Sequence, residues 1–116
     1  NNKFADKNVE YQFGKIDNKE EINKILISYI EKHFSISDDK QTWFDKMKDL
    51  AEEYGYAREV KEYKQNPENY KGHVGDISTV IRVALTGRQN TPDLYEIMQV
   101  LGENSIRERI EKVIGK

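Results

Sequence analysis

The stretch Gly72–Leu94, GHVGDISTVIRVALTGRQNTPDL, decides how this 116-residue chain is read. Ile77, Val80, Ile81, Ala84 and Leu85 recur at the i, i+3, i+4, i+7, i+8 spacing of an amphipathic helix. Asp76 or Gly75 is placed to start that helix and Gly87 to stop it. Thr91-Pro92 then reads as the opening of a second helix. Threonine serves as its N-cap, and proline takes the first helical position, where its missing N–H costs little. Downstream, Leu94, Ile97, Met98 and Leu101 form an inner face closed by Gly102. Ile106, Ile110, Val113 and Ile114 line a last helix closed by Gly115.

The same reading works upstream. A first helix is expected over Asn18–Phe34, with Asp17 as N-cap and Glu20 completing a capping-box pattern. Ile22, Ile25, Leu26, Tyr29 and Ile30 make its stripe. A second is expected over Asp39–Tyr54, capped by Ser37 or Asp38 and ended by Gly55. Its buried face is Phe44, Met47, Leu50, Ala51 and Tyr54, with Trp43 beside it. A short polar helix over Arg58–Lys64 is broken by Asn66-Pro67. Residues 1–16 show no clear period and read as a poorly structured tail or linker remnant, with a short extended piece around Val9–Phe13. No long β alternation or internal repeat appears. The expectation is all-α: a compact bundle of five to six short helices over residues 17–116.

Composition narrows the function. Hydrophobic residues make up 36% and charged residues 34%, and the apolar ones are patterned, so one folded domain is expected. No apolar run approaches a membrane span, no secretory leader is visible, and there is no cysteine for a disulfide or thiolate zinc site. A monomer in a cytoplasmic setting is expected. His33 and His73 lie far apart and do not point to a metal site. His33, at the end of the first helix, suits the helix dipole. There is no P-loop, no dinucleotide glycine fingerprint, no Ser-His-Asp set and no nucleophile elbow, so no catalytic residue is assigned. Paired acids such as Glu20-Glu21 and Glu52-Glu53 read as solvated helix faces. Most aromatics read as core, whereas Tyr56, Tyr63 and Tyr70 are uncommitted.

The arginines stand out instead. Net charge is only −2, yet four of the five arginines (Arg82, Arg88, Arg107 and Arg109) lie between Lys71 and Lys112, where no lysine occurs. No acid falls between Ile77 and Pro92. A guanidinium is a rigid fork of donors suited to phosphates and base edges. Arg82 lies at the edge of the apolar stripe or on the outer face, and Arg88 follows the terminating Gly87. A helix opening at Thr91-Pro92 would turn its free amides toward the same turn, which reads as an anion or nucleotide site. Pro92 and Leu94 would supply an apolar platform under an unpaired base.

These residues also carry a resemblance. Gly72-His73-Val74-Gly75-Asp76, Ile81-Arg82-Val83-Ala84-Leu85-Thr86-Gly87, Thr91-Pro92-Asp93-Leu94 and Leu101-Gly102-Glu103, with Trp43, Tyr54-Gly55-Tyr56 and the late Arg107-Glu108-Arg109-Ile110, resemble the C-terminal part of bacterial glutamyl-tRNA synthetases. The resemblance is dense over residues 43–114 and thin over the first sixteen. It implies an all-helical anticodon-binding domain whose partners are the anticodon stem-loop of a tRNA and the rest of the synthetase chain. Arg82 and Thr91-Pro92 with Leu94 would surround the first anticodon base, joined by Thr79. Arg88, Arg107, Arg109 and His73 would be candidates for RNA backbone contacts. The ATP-binding and lysine-rich signature loops of the catalytic half are absent from this sequence. ATP and magnesium would therefore belong to the parent catalytic domain, with no cofactor and no aminoacylation here. The alternative is a helical protein–protein interaction domain whose outer arginines meet an acidic partner.

Overall fold

The computed structural model describes residues 11–115, and among them the chain forms six α-helices. These are α1 (Lys19–Ser28), α2 (Lys40–Glu53), α3 (Val60–Gln65), α4 (Val74–Thr86), α5 (Leu94–Leu101) and α6 (Glu103–Ile114). The expected all-α bundle is what forms. α1 ends earlier than its periodicity implies, because Tyr29–His33 widens into a π-helical turn in which the Phe34 N–H donates to the Tyr29 carbonyl at 2.9 Å.

α4 sits at the centre. Val74, Ile77, Val80, Ile81, Val83, Ala84 and Leu85 are all buried, and the helix packs against α1, α2 and α6. Burying side chains of this size stabilises the fold by about 1.5–3 kcal/mol each. Met47 and Leu50 from α2, Ile25 and Leu26 from α1, and Ile106 and Ile110 from α6 complete the core. Phe44 does not join it: expected on the buried face of α2, it is 38% exposed, with the Lys48 ammonium over its ring.

Four of the helix starts, those of α1, α2, α4 and α5, are set by polar side chains, each one position or more from the expected one. Asn18, not Asp17, caps α1 by accepting the Glu21 N–H at 2.9 Å. Asp39 caps α2 by accepting from Thr42 at 2.8 Å. His73 caps α4: its Nδ1 accepts the Gly75 N–H at 2.9 Å, while the Asp76 carboxylate accepts the His73 N–H at 3.0 Å. α4 therefore starts at Val74, ahead of the expected Gly75 or Asp76. Backbone bonds from Lys71 to Gly55 and from Ala57 to Gly72, both 2.9 Å, hold the approach to α4 beside the end of α2.

At its other end α4 is closed twice. Gly87, with φ +76°, donates to the Val83 carbonyl at 2.7 Å, a left-handed close that favours glycine. Arg109 reaches across from α6 to donate to the Leu85 carbonyl at 2.8 Å. α5 does not begin at Thr91-Pro92. Its cap is Asp93, whose carboxylate accepts the Glu96 N–H at 3.3 Å, and its first residue is Leu94.

The stretch read as a tail reaches into the fold. Ile16 is buried, and Tyr11 and Phe13 pack against the core. The expected extended piece at Val9–Phe13 lies partly outside the described residues.

Candidate RNA interface

Gly75, Thr79, Arg82 and Thr86 recur at i, i+4, i+7 and i+11, so they share one stripe of α4 away from its apolar face. From that stripe the half-buried Arg82 side chain reaches the loop between α4 and α5, where its Nε donates to Thr91 Oγ1 at 2.9 Å. The Thr91 hydroxyl in turn donates to the Pro92 carbonyl at 2.8 Å. Thr86 fixes the loop's first turn, donating to the Arg82 carbonyl at 2.8 Å and accepting the Arg88 N–H at 3.1 Å. Among the described residues Arg82 forms no ion pair, and its terminal nitrogens have no hydrogen-bond partner. One edge of the guanidinium is therefore held while the fork stays available, beside a loop in which Arg88, Gln89, Asn90 and Pro92 are exposed.

The helix start next to this loop is not a free anion site. Asp93 occupies the amide end of α5, and Lys40 from the first turn of α2 pairs with it. The Lys40 bond holds the Asp93 carboxyl below the usual carboxylate range, and Asp93 raises the Lys40 ammonium. The carboxylate nearest the loop is thus already matched, which leaves Arg82 to the solvent side. The expectation of free α5 amides fails because Asp93, not Thr91, has the right register to cap.

The remaining expected residues fall into two groups. Arg82 reaches from α4 to Thr91 on the α4–α5 loop, which also carries Arg88 and Pro92. Leu94 does not supply an exposed platform, because it is 2% exposed and belongs to the core. Thr79 bonds the Gly75 carbonyl at 2.9 Å and carries Gly14 against its methyl group. Arg107 pairs with Glu103 at 2.9 Å and lies 5.2 Å from the Phe34 ring centre. Arg109 holds Ser105 and the end of α4. His73 is the α4 cap and packs 5.5 Å from the Tyr63 ring.

Two contributors escaped the sequence reading. Lys40 pairs with Asp93 across 53 positions, a contact no local pattern announces. Gln89 donates to the Gln12 carbonyl at 3.2 Å across 77 positions. The Asp93 cap itself was readable: an aspartate three residues before Glu96, ahead of an apolar run, is a capping signature.

Among the described residues this all-helical domain presents an oriented, unpaired guanidinium beside an exposed loop, a donor arrangement of the kind suited to an anion or a base edge. Comparison with known proteins is specific: the family model described as "Anticodon binding domain" matches residues 3–114, and the chain belongs to that family. It is 52% identical over 96 residues to a glutamate–tRNA ligase of Acetivibrio thermocellus, covering 83% of this chain and 17% of that protein. A glutamate–tRNA ligase of Clostridium perfringens is 50% identical over 96 residues, with the same coverage of 83% and 17%. One from Sorangium cellulosum is 51% identical over 81 residues, or 70% of this chain and 14% of that protein. The chain thus spans no more than 17% of the length of these three relatives. No solved structure matches.

Proposed function

We propose that this domain binds the anticodon stem-loop of a tRNA through the Arg82–Thr91 pair, as the anticodon-reading part of a glutamate–tRNA ligase. ATP, magnesium and the aminoacylation step belong, in this proposal, to the rest of that cytoplasmic enzyme. The observation that carries the reading is the 2.9 Å bond from Arg82 Nε to Thr91 Oγ1, with the terminal nitrogens left free of partners among the described residues. Such a fork matches the acceptor edge of an unpaired base, with exposed Pro92 as an apolar neighbour and Arg88 near the adjoining phosphate. Its orientation is set before the RNA arrives, so less rotamer entropy is lost on binding.

The test is the affinity of an anticodon stem-loop for the wild-type chain, Arg82→Ala and Arg82→Lys, each against a stem-loop changed at the first anticodon base. A bidentate base contact is worth about 1–3 kcal/mol, so both substitutions should weaken binding and erase the preference between the two RNAs. Equal affinity of all three proteins would remove Arg82 from the interface.

A further inference from the structure

The segment that precedes α1 runs beside the outward stripe of α4, meeting it at Thr79 and just past its end at Gly87 and Gln89. Residues 11–15 run along it in the opposite direction. The Tyr11 ring lies on Gly87, where a Cβ would stand 3.3 Å from Tyr11 Cε1. Gln89 Nε2 donates to the Gln12 carbonyl at 3.2 Å. Gly14, at φ +86°, comes so near Thr79 that a Cβ would lie 3.2 Å from Cγ2. The Lys15 ammonium sits 5.3 Å from the centre of the Tyr63 ring, which packs on His73, the cap of α4. The α4–α5 loop is thereby tied at three places: by Thr86 at its start, by the Gln89–Gln12 bond in its middle, and by Arg82–Thr91 at its end.

The geometry assigns to Gln89 the part of a positioning residue for the Arg82–Thr91 pair, acting through residues 11–14 as a strap; the RNA side of this inference rests on the function proposed above. The loop's exposed residues have little burial to order them, so each tie restricts the conformers open to Thr91. Releasing the middle tie leaves Thr91 free to leave the Arg82 Nε–H for part of the time. The guanidinium then loses its fixed plane, although no contact to it has been removed.

The experiment uses the whole 116-residue chain. Gln89→Ala deletes the tie. Gln89→Glu keeps the size but replaces the donor with a carboxylate that repels the Gln12 carbonyl. Arginine Nε–H resonances are recorded by nitrogen-15 NMR without RNA, with Arg82→Lys identifying the Arg82 signal by its disappearance. In both Gln89 variants that signal should move toward the position of a solvent-exposed arginine, or broaden, while the melting temperature falls by no more than the few degrees that one lost hydrogen bond accounts for. Stem-loop affinity should fall about three- to tenfold, as expected for one lost neutral hydrogen bond. An Arg82 signal unchanged in Gln89→Glu overturns the inference whatever the RNA does. A wild-type chain that binds no stem-loop overturns the RNA reading alone, because the resonance still decides the strap.

Discussion

Lys40, in the first turn of α2, sits on the carboxylate of Asp93, the cap of α5. This pair joins two helices 53 positions apart and fixes what the α4–α5 loop offers a ligand. With Asp93 matched, the loop's net character is set by Arg82 and Arg88. Asp93→Asn keeps a capping side chain but frees Lys40. Stem-loop affinity should then rise modestly at low salt. The slope of log affinity against log salt should steepen by about one, as one more cation meets a phosphate. Titration at several salt concentrations measures both, and a flatter slope would contradict this account of Lys40.

Leu94 and Pro92 separate stability from binding. Leu94 is core, so Leu94→Ala should cost about 2–5 kcal/mol of folding free energy in denaturant unfolding. Pro92 is exposed, so Pro92→Ala should leave the unfolding midpoint nearly unchanged and weaken the stem-loop complex. The reverse pattern would mean that the leucine is the platform after all.

The two arginines at the end of α4 should behave oppositely. Arg109→Met strips a donor from the Leu85 carbonyl and should lower stability by about 0.5–1.5 kcal/mol with little change in RNA affinity. Arg88 is exposed with its side chain unpaired among the described residues, so Arg88→Met should leave the melt alone and reduce the salt slope by about one.

Acid should loosen the junction of α1 and α2 through Glu53. Burial pushes this carboxyl up, but bonds from Lys32 at 2.9 Å, His33 at 3.2 Å and Ser28 at 2.9 Å together carry it below its usual range. A carboxyl lowered in the folded state binds fewer protons there than when unfolded. Its contribution is therefore fully present above the unfolded value of about 4.3 and is lost as pH falls toward the folded one. Glu53→Gln should lower the melting temperature at pH 7 and flatten its decline below about pH 5. Parallel melts of the two proteins from pH 7 to pH 3 are the measurement; curves separated by a constant offset would exclude Glu53 as the titrating group.

The periodicity of Ile77–Leu85 marks α4 as an amphipathic helix, and Gly87 and Gly102 mark two of the chain's turns, whereas the central position of α4 comes from its packing against α1, α2 and α6. Caps were harder to place, because Asp17, Asn18, Ser37, Asp38 and Asp39 are all good caps by type. Only the register of each helix against the core selects among them. Phe44 shows the same limit: it has helical spacing, but α2 is rotated so that Met47, Leu50 and Ala51 take the inside.

By itself, the sequence determined five apolar stripes, the glycine stops and the cluster of arginines without acids, because those follow from local spacing and side-chain chemistry. The tertiary structure alone decided which arginines are spent on the fold and which, Arg82 and Arg88, are left open. Arg109 meets a carbonyl 24 positions away, Arg107 meets Glu103 and Phe34, and Arg82 meets a hydroxyl and, among the described residues, no acid. A guanidinium's role depends on what the packing of distant segments brings within 3 Å or so of it, and that distance is not written in the chain's local pattern.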